Sequence, residues 1–303
     1  MKLTHTALAA ITTVALTLAA SAETKSIKLK QTIPVGKRVV QSMVMNQKMN
    51  MGGAQAMNMT NKMNMDMTME ITKHKEDQKK ATIKYDKASM LIDAGVFKQE
   101  FSSENEDGNP FTKLIGKSFD VIYDKDDEIV EVNGADKLMG DAADLGPMAG
   151  IAEMFSGDQL KENLKQGMLQ MVPDKALKIG DSWPFNMDVP MPQGMGNLVF
   201  KGEYTLRKFA QYDGTECAVI EMEGTLEGDG KQELEMQGQK IAMEFKESDF
   251  EGEIYFDNKL GLPRKSDTLT KMTMEMAVAG QEMKMDMTMT MVNKITKVED
   301  LKK

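Results

Sequence analysis

The sequence predicts a mostly β, α+β chain: long antiparallel strands in a curved sheet or half-barrel, with a helical insert around residues 136–172. Three observations predict it. Every methionine from Met43 to Met69 stands on an odd number, and the even positions between them are mostly Asn, Lys, Thr and Asp. Side chains on a strand alternate faces, so this run has one apolar and one polar face; a helix would scatter the same methionines around its circumference. Two such methionine runs also fold back on themselves about small-residue turns. Between the β-rich halves, Leu160, Leu164, Met168 and Met171 recur at helical spacing instead.

The chain opens with Lys2, an apolar stretch from Ala7 to Ala20, and Ala20-Ser21-Ala22. A basic start, a short apolar stretch and a small-residue site form the layout of a secretory signal peptide cleaved after Ala22. Residues 1–22 are therefore set aside and 23–303 read as a single β-rich domain, periplasmic or secreted. The apolar stretch is short for a membrane span, and no integral membrane segment is expected in the mature chain.

The first hairpin turns about Ala54 in MGGAQAM. Folding there sets Met51 opposite Met57, Met49 opposite Met59, Met45 opposite Met63 and Met43 opposite Met65, one constant sum of residue numbers as antiparallel pairing demands. The strand continues through Met67 and Met69. ATIKYDKASMLI, KSFDVIYDKDDEIVEVNG, NLVFKGEYTLRKF, ECAVIEMEGTLEG and DFEGEIYFDNKLGLPRKSDTLT also read as strands bounded by Asp, Asn and Gly. A second methionine hairpin at TKMTMEMAVAGQEMKMDMTMTMV pairs Met276 with Met283, Met274 with Met285 and Met272 with Met287 about Ala279-Gly280. A third, weaker one in LEMQGQKIAMEF sets Met236 against Ile241 and Leu234 against Met243.

In the insert, Pro147 suits a first helical turn, Ser156 with Gln159 resembles a capping box, and Pro173 ends the helix. Such an amphipathic helix is expected to cover the apolar face of a sheet. The following segment, residues 173–197, holds Pro173, Pro184, Pro190 and Pro192 and reads mostly as loop with a short strand, with Trp183 as a core anchor.

Charge and motifs exclude more than they select. Removing Lys2 from the 38 basic residues leaves 37 against 47 acidic ones, a net charge of −10. An acidic surface repels phosphate backbones and anionic headgroups, so nucleic acid is excluded as a partner. Cys217 is the one cysteine and reads as a small buried hydrophobe in a strand. His74, the one histidine after Ala22, lies in a charged turn. Histidine-based zinc sites and Ser-His-Asp or Cys-His catalysis lack their imidazoles, and GxSxG, HExxH, CxxC, the P-loop and GxGxxG are absent. No catalytic residue, metal site or cofactor is assigned, and the chain reads as non-enzymatic.

The signal peptide, the M-x-M hairpins closing on Gly280-Gln281 and Gly238-Gln239, and the GKSFDVIYDKDDEIVEVNG and KIGDSWPF segments together resemble a family of uncharacterised exported bacterial proteins, a domain of unknown function. In architecture the chain is similar to half-barrel lipid carriers of the LolA and LppX kind, a likeness of fold alone.

Methionine is unbranched and polarisable, and adapts to whatever lies against it. Three readings follow. The methionines pack a core under the insert, making an envelope-structural protein. Or the faces carrying Met43, Met45, Met49, Met51, Met57, Met59, Met63, Met65, Met67 and Met69, with Met272, Met274, Met276, Met283, Met285 and Met287, form a pliable seat for an apolar small molecule, a lipid acyl chain or a protein partner. Or thioethers capture Cu(I), although these strands carry no His or Trp beside the methionines. A share falls to an oxidant sink, since methionine oxidises reversibly. Length favours the second reading: a Met57–Met69 strand spans about 40 Å, and a helix of about 14 residues covers about 20 Å.

Overall fold

The computed structural model describes residues 26–52, 56–105, 110–138, 160, 161, 164, 171–190, 197–228, 230–236, 239–246, 248–278 and 281–302. The segment read as a signal peptide lies outside them.

Among the described residues sixteen strands dominate: β1 (Ile27–Lys28), β2 (Lys37–Met51), β3 (Met57–Lys73), β4 (Lys79–Asp93), β5 (Lys98–Ser102), β6 (Ser118–Tyr123), β7 (Ile129–Asn133), β8 (Ala176–Leu177), β9 (Ser182–Pro190), β10 (Asn197–Tyr212), β11 (Thr215–Gly228), β12 (Lys231–Met236), β13 (Gln239–Phe245), β14 (Asp249–Asp257), β15 (Leu262–Val278) and β16 (Gln281–Asp300). Fourteen form one sheet in the order β7-β6-β4-β3-β2-β16-β15-β14-β11-β10-β9, with β5 beside β4, β13 beside β15 and β12 beside β13. The sheet is antiparallel, curved and not closed. β1 and β8 form a separate two-stranded ribbon.

The two methionine hairpins adopt the expected registers. Met51↔Met57, Met49↔Met59, Met45↔Met63 and Met43↔Met65 pair across β2 and β3, and Met276↔Met283, Met274↔Met285 and Met272↔Met287 pair across β15 and β16. β2 then pairs with β16, so that Met51 faces Met285, Met49 faces Met287 and Met45 faces Met291. Strands from opposite ends of the chain thus merge the two hairpins into one four-stranded centre.

Three expectations need correction. In the third hairpin Leu234 pairs with Ile241 and Met236 with Gln239, not Leu234 with Met243 or Met236 with Ile241. The connection is two residues long, and a slip of two keeps every side chain on its own face, so alternation does not distinguish the two registers. Residues 182–190, read mostly as loop, form the nine-residue strand β9 with Pro184 inside it. β9 ends the sheet, and an edge strand accommodates the missing N–H of proline. The helical insert of 136–172 is not supported as an element, and most of it, with Pro147, Ser156, Gln159 and Met168, lies outside the described residues. Its start at Ala135–Lys137 is a short 3-10 turn entered from Gly134 at φ 82. Leu160 and Leu164 are helical and pack, partly buried, against the larger core. Elsewhere among the described residues α-helix is confined to α1 (Pro110–Leu114), and no helix is long and apolar enough to cross a membrane.

Two cores occupy the two ends of one sheet face. The larger packs Val39, Met65, Ile71, Tyr85, Phe119 and Val121 with Phe111 and Leu114 of α1. The smaller packs Trp183, Leu206, Ile220, Ile254 and Phe256 beneath Leu29 of the N-terminal ribbon and Leu177 of β8. Near the smaller core the sheet bends at glycines. A Cβ on Gly202 would stand 2.2 Å from Glu223 O, and one on Gly224 would stand 2.2 Å from Lys201 O and 2.7 Å from the Phe250 ring. The rings of Phe185 and Phe250 cover the glycines and meet each other with centroids 5.6 Å apart. Close backbone approach of this kind marks a bend that no side chain fits.

Gly224→Val is therefore expected to cost about 2–4 kcal/mol, since neither backbone nor ring has room to yield. Urea unfolding followed by tryptophan fluorescence of Trp183 checks it; an unchanged midpoint contradicts the close-packed bend.

Candidate functional site: a methionine face between two cores

Cross-strand registers arrange the four central strands in rows. Met59, Met49, Met287 and Met272 form one row, and Met57, Met51, Met285 and Met274 the next. Met90, Met63, Met45 and Met291 form a third, ending at Thr268. Neighbours in a row stand about 5 Å apart and successive rows about 7 Å apart.

Burial divides the expected site residues. Met65 and Met274 are buried, at 4% and 9% exposure. Met43, Met63, Met67 and Met69 pack partly buried against the larger core. Met45, Met49, Met51, Met59, Met272, Met276, Met283, Met285 and Met287 are half-buried and belong to neither core. Met57 is the most open, at 37%. The structure brings all sixteen onto one face, and their outer part bridges the gap between the cores. The face also takes in Met289 and Met291 of β16, which the same alternation marks, Met243 of the third hairpin, and Met90, which local sequence does not single out.

A polar row crosses this face. Asn61, Gln47, Met289 and Thr270 stand side by side. Asn61 Nδ2 donates to Gln47 Oε1 at 3.1 Å, and Gln47 Nε2 points onto the Met287 sulfur at 2.5 Å. Asn61 Oδ1 is buried without a partner among the described residues. Both positions are odd-numbered breaks in the methionine alternation, visible in the sequence but not singled out there.

Two cavities flank the centre. One of about 410 Å³ is lined by Met243, Met276 and Met283 together with Glu244, Glu275 and Glu282. A groove of about 570 Å³ is lined by Glu221, Glu223, Glu251, Glu253 and Asp267 together with Met222, Leu269, Met291 and Val292. Its carboxylates alternate along the strands with Met222 and Gly252, so they face away from the methionines. No group of three or more His, Cys, Asp or Glu side chains is placed to hold a metal ion among the described residues.

Comparison with known proteins adds a family. The model of a family of unknown function, DUF6263, matches residues 61–263. The chain belongs to this family. The DUF6263 match runs from within β3 to the first residues of β15, so β2, β16 and most of β15, which carry the centre of the methionine face, lie outside it. No curated protein sequence matches the chain. Among solved structures, one described as lipid–protein interactions in lipovitellin aligns at 8% identity and TM-score 0.47, over 89% of this chain and 26% of that one. An outer membrane channel from Pseudomonas putida F1 aligns at 6% identity and TM-score 0.27, over 88% of this chain and 97% of that one. At these scores neither likeness carries an argument about function.

Cys217 and His74 stand apart from the face. His74 is exposed in the β3–β4 turn. Cys217 is fully buried in β11, and burial, aided by nearby Asp257, pushes its thiol up to about 11. A raised thiol pKa favours the protonated form in the fold, so its contribution to stability holds below the unfolded value and is lost as pH rises toward 11.

Two outcomes follow. Native protein is expected to leave Cys217 unlabelled by Ellman's reagent at pH 8, with full reaction in denaturant; rapid native labelling contradicts the burial. The double change Q47M/N61M, which removes both amides together, is expected to be neutral or to stabilise by about 1 kcal/mol in urea unfolding, whereas Asn61→Met alone leaves the Gln47 carbonyl unpaired and costs about as much.

Proposed function

We propose that this protein is an exported, non-enzymatic binder of an apolar ligand such as a lipid acyl chain, seated on the methionine face. The observation that carries the reading is the half-buried set Met45, Met49, Met51, Met59, Met285 and Met287, which belongs to neither core. Flexible thioether side chains conform to an apolar partner at little cost, and a contiguous apolar patch on a protein surface marks a binding surface. Export rests on the N-terminal sequence, with its basic start, apolar stretch and Ala-Ser-Ala site.

The structural reading keeps a share of the same residues, because Met43, Met63, Met65, Met67 and Met69 belong to or pack on the larger core. The Cu(I) alternative finds less support. His74 lies in an exposed turn and Cys217 in β11, so neither an imidazole nor a thiolate stands beside the methionine rows.

Native mass spectrometry of the mature protein purified from its own envelope, without added ligand, is expected to show bound mass that extracts into organic solvent. Titration with a fluorescent fatty acid is expected to saturate. The double change M49E/M287E, which sets two charges in the middle of the face, should weaken binding at least tenfold, or about 1.4 kcal/mol. A bare mass that stays unchanged with both the fatty acid and Cu(I) overturns both binding readings.

A further inference from the structure

One row breaks the methionine face at its centre. Along β3 Asn61 stands between Met59 and Met63, and along β2 Gln47 stands between Met49 and Met45. The two breaks are direct cross-strand partners, so they meet on the face instead of scattering over it. Thr270, buried at 3% exposure, lies in the same row beyond Met289.

The amide pair does not satisfy itself. Asn61 Nδ2 donates to Gln47 Oε1, which leaves Gln47 Nε2 against the Met287 sulfur, a weak acceptor. Asn61 Oδ1 is left buried with no partner among the described residues. Turning both amides over changes only the identity of the orphan: Gln47 Nε2 then donates to Asn61 Oδ1, and Asn61 Nδ2 is the unmatched atom. Two methionines would continue the alternation and leave no polar atom to match, so packing gives no reason for the amides. An unmatched polar atom within an apolar face calls for a partner from outside the chain.

We infer that the ligand of the methionine face carries a neutral hydroxyl within its apolar length, held by Asn61 and Gln47, so that the face selects a hydroxylated lipid chain over a plain one. The inference rests on the apolar-ligand reading and names the chemistry of that ligand. A hydroxyl both donates and accepts, and therefore matches the orphaned atom in either amide orientation. An ionised group does not fit. Besides the two amides the row holds Ile92, Met289, Thr270 and Phe250, and the rows of Met59 and Met63 on either side carry no charged side chain. A carboxylate or phosphate buried there would stand without a counter-charge. Spacing gives the position: Asn61 lies about 13 Å along β3 from Met57, so the hydroxyl falls part-way along a chain that runs with the strands. Asn61, Met59 and Met63 are half-buried, and the unbranched thioethers beside the amide can yield to admit the group.

Displacement of a fluorescent fatty acid from the full mature protein tests this, with stearic acid compared against 8-, 10- and 12-hydroxystearic acids. A purely apolar face favours stearic acid, because it leaves a buried hydroxyl unmatched. Wild type is expected to prefer at least one hydroxystearic acid over stearic acid by about tenfold. In Q47M/N61M that preference should be lost. N50M/N58M, the same exchange at a cross-strand pair of exposed asparagines on the opposite face, should keep it. The comparison in wild type stands on its own should the double change disturb folding. Stearic acid bound by wild type as tightly as every hydroxystearic acid overturns the hydroxyl inference and leaves the apolar-ligand reading in place, and so does a preference that Q47M/N61M retains or that N50M/N58M equally loses. Binding of none of the four acids overturns both.

Discussion

The backbone ladder between β2 and β16 organises this molecule. It runs fifteen residues along β2, from Lys37 to Met51, and closes the chain nearly end to end. Such long-range pairing carries a large loop-closure cost, which is met here by length: long strands give many backbone hydrogen bonds and many cross-strand side-chain pairs from a single register. With that register set, the two methionine hairpins, each able to form locally, share one face. The N-terminal half of the sheet then lies on one side of the pair and the C-terminal half on the other.

That face is packed unevenly. Branched and aromatic residues fill the two cores, and unbranched methionines span the distance between them. The division suits the physics. Valine, isoleucine and phenylalanine hold defined rotamers against fixed neighbours, whereas methionine keeps its apolar character without demanding one partner shape. Glycines at 202 and 224 bend the smaller-core side under the rings of Phe185 and Phe250. Register shifts at Leu206/Lys208 in β10 and Ile295/Lys297 in β16 add local twist. The amides of Asn61 and Gln47 place the one polar row across the middle of the methionines, where a hydrogen bond to sulfur replaces the bond to water.

The polarity of the sheet's two ends follows from hairpin topology. In an antiparallel sheet, alternate connections gather at opposite ends, so the β3–β4, β6–β7, β10–β11 and β14–β15 turns, all polar, share one end. The methionine rows run toward the opposite end, where the β2–β3 and β15–β16 hairpins turn.

Much of this was legible in the sequence. Period-two alternation and constant pairing sums determined the strands and both outer methionine registers, because side chains on a strand alternate strictly and a tight turn leaves little freedom of register. The third hairpin escaped, since a slip of two residues preserves the faces of Leu234 and Met236, and β9 escaped because Pro184 argues against a strand unless that strand is known to be an edge. The sequence by itself determined which residues share a face. Tertiary structure alone decided that the two faces are one and that Met65 is core while Met49 and Met287 lie between cores, because long-range strand order and burial arise from pairings between segments far apart in the chain and leave no local mark.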